Sequence, residues 1–141
     1  MSLKQQINIP RNHKRSLSVT SRHVERNIDE IEDLLLTTSR EKSTEIIHKN
    51  LDKQIIKKIL ELLSLLRIQN IKMFEELELD PLTSYENRIV RGKVSHIWTL
   101  LCDSTSESLK GFGPLSKEQA EKINNHINIL LDTINKIQTL L

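Results

Sequence analysis

Between Ile46 and Leu79, apolar side chains recur with the period of an α-helix and cover far more of its circumference than a surface helix needs. The residues on one line along the helix are Leu51, Ile55, Ile59, Leu62, Leu66, Met73 and Leu77, and those beside it are Ile56, Leu60, Leu63 and Phe74. The apolar arc spans roughly 200°, about twice the width that an ordinary surface helix buries. This helix must therefore be covered on more than one side, by the rest of the chain or by another copy.

Two further signals set the predicted limits of this second helix. A first amphipathic helix should begin at about Ser16 and end near Thr38, where Thr38-Ser39-Arg40-Glu41 has the spacing of a capping box. The second helix would then start there or at Ser43 and run to Asp80-Pro81, roughly 36 residues or about 54 Å. A polar interruption at Gln69-Asn70 predicts a kink, a buried hydrogen bond or a change of partner.

The C-terminal part of the chain predicts two more amphipathic helices. Thr83-Ser84-Tyr85-Glu86 is a further capping box, and the third helix should bury Val90, Val94, Ile97 and Leu101. Glycines and a proline between Lys110 and Pro114 end it. Ser116 and Gln119 have the spacing of a capping box for the fourth helix, whose apolar stripe continues to Leu141. Four amphipathic helices with short connections predict an all-α, antiparallel four-helix bundle with a long second helix.

Composition supports one helical domain preceded by a basic arm. The 141 residues include 3% aromatic side chains, three glycines and three prolines, too few turn residues for an all-β fold. Residues 16–141 are predicted to form a single bundle domain, and residues 1–15 an arm that is partly disordered or packed on the bundle. The basic side chains in and after this arm are Arg11, Lys14, Arg15, Arg22 and Arg26. They could contact nucleic-acid phosphates, lie on acidic faces of this chain or a partner, or remain solvated.

Several classes of protein are excluded by what the sequence contains. Lys57, Lys58 and Glu61 interrupt the longest apolar stretch, so we expect no membrane helix. The N-terminus has no apolar core of a secretory signal. A single cysteine cannot form an internal disulfide, and a reducing cytoplasm is therefore the expected compartment. No motif predicts a cofactor.

Two short motifs offer alternative chemistry. Arg91-Gly92-Lys93-Val94-Ser95-His96 resembles the Arg-x4-His signature of HEPN-type ribonucleases, small helical bundles in which arginine and histidine share a cleft and act on RNA. The resemblance covers about ten residues and would make Arg91 and His96 catalytic. Gly92 departs from it, because a polar residue usually follows the arginine. Separately, Glu45 and His48 have the Glu-x-x-His spacing of di-iron bundles, a weak metal alternative because only one such motif is found.

The sequence favours a non-enzymatic protein that acts through association. The predicted interaction surface consists of Ile56, Leu60, Leu63 and Phe74, and a homodimer is the simplest arrangement, with another protein partner as the alternative. A HEPN-like ribonuclease is the second hypothesis, and a nucleic-acid-binding accessory protein that uses the basic arm is the third.

Overall fold

The computed structural model of the chain describes residues 8–37 and 44–141. In these ranges the backbone forms four α-helices and no strand, which confirms the all-α prediction. The helices are α1 (Arg11–Leu36), α2 (Lys53–Glu76), α3 (Glu86–Cys102) and α4 (Lys117–Gln138), with a short 3-10 helix at Ser108–Phe112 between α3 and α4.

The helices pack in two pairs. The chain divides into two compact units, one that ends at Leu82 and one that begins at Thr83. We call α1 and α2 the first hairpin and α3 and α4 the second hairpin, because each pair shares its interhelical contacts. In the first hairpin, Arg67 bonds to Asp29 and the later residue Asn70 bonds to the earlier residue Ser21, so the two helices run in opposite directions. The antiparallel order of all four helices in one domain stays a prediction.

The start of α1 lies five residues before the predicted start at Ser16. Pro10 occupies the N-cap position with φ −54°, close to the helical value, and its carbonyl accepts the N–H of Lys14 at 3.0 Å. The predicted helix start was therefore wrong, and Arg11, Lys14 and Arg15 belong to the first turns of α1. The first seven residues of the predicted arm lie outside the described residues.

The second helix is shorter than predicted, with 24 residues rather than roughly 36. Asp52 is its N-cap, and its carboxylate accepts the N–H of Gln54 at 3.4 Å. This bond satisfies a free amide at the helix start and favours a helix that begins at Lys53. Residues 44–52 form no helix. The predicted capping box at 38–41 and the alternative start at Ser43 lie outside the described residues.

The C-terminus of α2 is closed by a Schellman motif that precedes Asp80-Pro81. The N–H of Leu79 donates to the carbonyl of Phe74 at 2.9 Å, and the N–H of Glu78 donates to the carbonyl of Glu75 at 3.1 Å. Glu78 has φ +52°, in the left-handed region that this motif requires and that glycine usually occupies. Leu79 is buried, as expected of the apolar residue at the C″ position of this motif.

The second hairpin confirms one predicted cap and corrects another. At α4, the N–H of Gln119 donates to Ser116 Oγ at 3.1 Å and the N–H of Ser116 donates to Gln119 Oε1 at 3.0 Å, which is the predicted capping box. At α3, Tyr85 is the N-cap and makes no side-chain capping bond, so the capping box predicted at 83–86 was wrong.

Fewer side chains are buried in the second hairpin than the apolar stripes of its helices predict. Val94 of α3 and Ile134 of α4 are its buried side chains among the described residues. Leu101 is half-buried, whereas Val90 and Ile97 are exposed, which corrects their predicted burial. An apolar side of α3 is thus left without a partner inside this hairpin.

Candidate functional site

The buried centre of the first hairpin determines which surfaces remain available. Ile28 of α1 and Leu63 of α2 are buried, with exposed fractions of 1% and 7%. The side of α2 that faces α1 is therefore centred on Leu63. On the helical wheel this direction lies about 80° from the line of Ile55, Leu62 and Leu66, which had the most regular spacing in the sequence.

Polar contacts across the hairpin fix this orientation. Asn70 is a polar residue on the otherwise apolar side of α2 that faces α1. Its side chain donates to the carbonyl of Ser21 at 3.1 Å and accepts from Ser21 Oγ at 3.0 Å. A buried hydrogen bond was one of the three predicted outcomes at Gln69-Asn70, and the structure has a partly buried one at Asn70. Ser21 is itself buried, so the bonds satisfy groups that would otherwise lack partners.

Arg67 forms the second polar contact, with two carboxylates of α1. Its guanidinium lies 2.9 Å from Glu32 and 3.0 Å from Asp29. Hydrogen bonds to Glu32 and then to Asp29 raise the pKa of Arg67 above its ordinary value. Because the shift is upward, the guanidinium of Arg67 stays charged throughout the neutral range, and what it gains from its raised pKa is lost only as the pH rises through that pKa.

An apolar face lies along one side of the first hairpin. A groove of about 330 Å³ between the helices is lined by Val24, Ile28 and Ile31 of α1 and by Leu63 and Leu66 of α2, and its polar lining residues are Thr20, His23 and Asn27. Ile31 and Leu66 of this groove are also exposed at the surface. Beyond the groove, the exposed apolar side chains on the same side are Leu34 of α1 and Ile55 and Leu62 of α2. We call Ile31, Leu34, Ile55, Leu62 and Leu66 the apolar face.

The four residues of the predicted interaction surface project within about 60° of one another on α2, on the side that faces α1, and none of them is exposed. Leu63 is buried against α1, and Phe74 is half-buried in a cleft that α1 also lines. Ile56 and Leu60 are half-buried and line a shallow depression on α2 alone. The exposed apolar residues Leu62 and Leu66 lie instead on the line that the sequence analysis assigned to the centre of the apolar stripe.

Four of the predicted phosphate-contacting residues share one side of α1. Arg11, Arg15, Arg22 and Arg26 are spaced by four, seven and four residues, which places them within about 60° of one another around the helix. We call these four residues the arginine line. None of them forms an ion pair with a described residue. Lys14 points elsewhere, because its Nζ donates to the carbonyl of Glu78 at 3.4 Å.

Arg22 differs from the rest of the arginine line because it is half-buried. It lines a cleft of about 320 Å³ with Ser18, Asn70, Glu25 and Glu75, among other residues. Its Nε is buried and has no hydrogen-bond partner in the described part of the chain, and neither glutamate forms an ion pair with it. Arg11, Arg15 and Arg26 are exposed.

Arg91 and His96, the residues of the HEPN-like motif, do not converge within α3. Five residues apart on a continuous helix, they project in directions about 140° apart. The guanidinium of Arg91 donates to the carbonyl of Leu141, beyond the end of α4. His96 is exposed and makes no hydrogen bond to a described residue. A shared cleft, which the ribonuclease hypothesis requires, is therefore not formed by these two residues on α3.

Glu45 and His48 lie in the non-helical segment that precedes α2, and both are exposed. The Glu-x-x-His motif places its two side chains on one face only when the backbone is helical, so the metal alternative loses its geometric basis. Over residues 8–37 and 44–141, no group of three or more His, Cys, Asp or Glu side chains could hold a metal ion.

A polar contact in the second hairpin was not anticipated from the sequence. Asn124 of α4 accepts the N–H of Ser106 at 2.9 Å and donates to Ser106 Oγ at 2.8 Å. It attaches the connection after α3 to α4. An asparagine within the apolar pattern of α4 is the signal that could have identified it.

Comparison with protein-family models, with curated proteins and with solved structures found no match for this chain. None of the helices in the described ranges has the length and apolar character needed to cross a membrane.

Proposed function

We propose that the chain is a non-enzymatic helical protein that associates with a second copy of itself through the apolar face. The observation that carries this proposal is the exposure of regularly spaced leucine and isoleucine side chains along α2, next to the apolar groove of the first hairpin. Contiguous apolar surface of this kind is typical of association sites on proteins.

A second copy is the partner that the chemistry of the face favours. Besides His23, the lining of the groove holds no ionisable side chain, so two such faces related by a two-fold axis would bring no carboxylates, lysines or arginines together. The α2 residues Ile55, Leu62 and Leu66 are spaced by seven and four residues, the pattern by which helices pack against each other. The reducing cytoplasm remains the compartment that we infer from the single cysteine, Cys102.

Substitution of two exposed leucines tests the proposal. Leu62→Glu with Leu66→Glu would place four charges in a dimeric interface, because each substitution occurs in both copies. Losing the burial of a single leucine costs about 1.5 kcal/mol in each copy, or about 3 kcal/mol per dimer. This loss alone weakens the dimer by about 100-fold or more. The measurement is a dilution series followed by size-exclusion chromatography with light scattering.

The matched control is Ile68→Glu. Ile68 lies on α2 with an exposed fraction of 63%, against 64% for Leu62, but it projects about 120° away from Leu62. The control should leave the dissociation constant within about twofold of the unmodified protein. Equal dissociation by both variants would contradict association through the apolar face, and a monomeric unmodified protein would contradict association altogether.

A further inference from the structure

The exposed residues of the arginine line form a cationic surface that association through the apolar face does not use. Arg11, Arg15 and Arg26 are exposed on α1 and form no ion pair with a described residue. Arg22 is left out of this surface because it is half-buried beside two glutamates. Unpaired cations on one side of a helix favour an anion that carries several charges in a row.

The residue type and spacing point to phosphate groups. A guanidinium presents paired donors that match a phosphate, which a lysine ammonium does not. Arg11 and Arg15 are four residues apart, or about 6 Å along the axis, whereas Arg26 lies about 16 Å beyond Arg15. The N-terminus of α1, next to Arg11, adds the partial positive charge of the helix dipole.

The surroundings of this surface favour a nucleic-acid duplex over a membrane or a single strand. α1 contains no Phe, Tyr or Trp on which unpaired bases could stack. Ile31, an exposed apolar residue of α1, projects about 140–160° away from Arg11, Arg15 and Arg26, so one lipid surface could not contact both. A groove about 12 Å wide separates two rows of phosphates. The backbone positions of Arg15 and Arg26 are about 16 Å apart, so their long side chains can reach one row each.

We propose that α1 binds the phosphate backbone of a nucleic-acid duplex, with Arg11 and Arg15 on one row of phosphates and Arg26 on the row across the groove. Contacts of this kind do not distinguish base sequence. Asp33, which follows Arg26 by seven residues on the same side of α1, repels phosphates and limits the contact to the N-terminal part of α1.

The salt dependence of binding tests this proposal quantitatively. The probe is a fluorescent DNA duplex of about 20 base pairs, titrated with the full chain and followed by anisotropy from 50 to 200 mM salt. Three phosphate contacts predict a slope of log K against log salt of about −2.7, and hence an affinity that falls about 40-fold over this range. Arg26→Gln should reduce the slope to about −1.8, because one contact is lost.

A matched pair of triple variants separates the site from net charge. Arg11→Gln, Arg15→Gln and Arg26→Gln together should abolish salt-dependent binding. Lys53→Gln, Lys57→Gln and Lys58→Gln remove the same charge from exposed positions of α2 and should leave the slope unchanged. Circular dichroism verifies that both triple variants are folded. Equal losses in the two variants, no binding at 50 mM salt, or tighter binding of a single strand of the same length would each overturn the proposal.

Discussion

Replacement of Glu78 by glycine should stabilise the first hairpin. Glu78 holds the left-handed backbone position, φ +52°, of the Schellman motif that ends α2. For a residue with a Cβ this conformation costs about 1–2 kcal/mol, which glycine does not incur. Glycine loses about 0.4–1 kcal/mol more conformational entropy on folding. The expected net gain is about 1 kcal/mol, equivalent to a rise of about 4 °C in the Tm measured by circular dichroism.

Glu78→Ala is the control that isolates the backbone term. It removes the carboxylate, which opposes the dipole at a helix C-terminus, but it keeps the Cβ and therefore the cost of the left-handed conformation. The hydrogen bond from Lys14 Nζ is retained in both variants because its acceptor is the backbone carbonyl of residue 78. Equal Tm values for the glycine and alanine variants, or a lower Tm for glycine, would refute the assignment of strain to Glu78.

Three further substitutions test local features of the second hairpin. Gly113→Ala should destabilise it by about 1–3 kcal/mol, since Gly113 has φ +129°, a conformation that residues with a side chain rarely adopt. By contrast, Gly92→Ala should stabilise it by about 1 kcal/mol, because Gly92 lies inside α3 with open space around its Cβ position. Ser116→Ala should cost about 1 kcal/mol through loss of the capping box of α4. Urea unfolding monitored by circular dichroism measures the stability of all three variants. Gly92→Ala should be more stable than the unmodified protein, and the unmodified protein should be more stable than Gly113→Ala and Ser116→Ala. Any other order would contradict these assignments.

Local sequence patterns were sufficient to predict the helical class and the N-terminal cap of α4. Apolar spacing identifies a helix because side chains three and four residues apart share a face, and the bonds between Ser116 and Gln119 depend only on residues in one turn. The limits of α2 were harder to predict. Asp52 determines the start of α2 through a bond to its carboxylate, and Glu78 determines the end through backbone bonds, whereas the apolar spacing continues past both residues.

The direction in which α2 faces its partner could not be predicted from periodicity. An apolar arc of about 200° contains more than one line that could be buried, and local spacing does not distinguish between them. The buried direction follows from contacts of Asn70 with Ser21 and of Arg67 with Glu32, residues 49 and 35 positions away in sequence. These contacts place Leu63 in the core and leave Leu62 and Leu66 exposed, which reverses the expected roles of the two lines.

Which side chains share a candidate surface depends on where each helix begins and on whether its backbone is continuous. The arginine line could be predicted only if the helix was known to begin at Arg11, since residues in an irregular arm share no common face. The failure of Arg91 and His96 to converge follows from their five-residue spacing on a continuous α3. A sequence motif specifies residue types and separation, but the backbone decides whether two side chains meet.

Sedimentation equilibrium of the unmodified chain tests most directly whether the apolar face is covered by a second copy. The chain has a mass of 16.4 kDa. The proposed association predicts twice this mass at micromolar concentrations, with dissociation on dilution. The mass of a single chain at every concentration up to the millimolar range would contradict it.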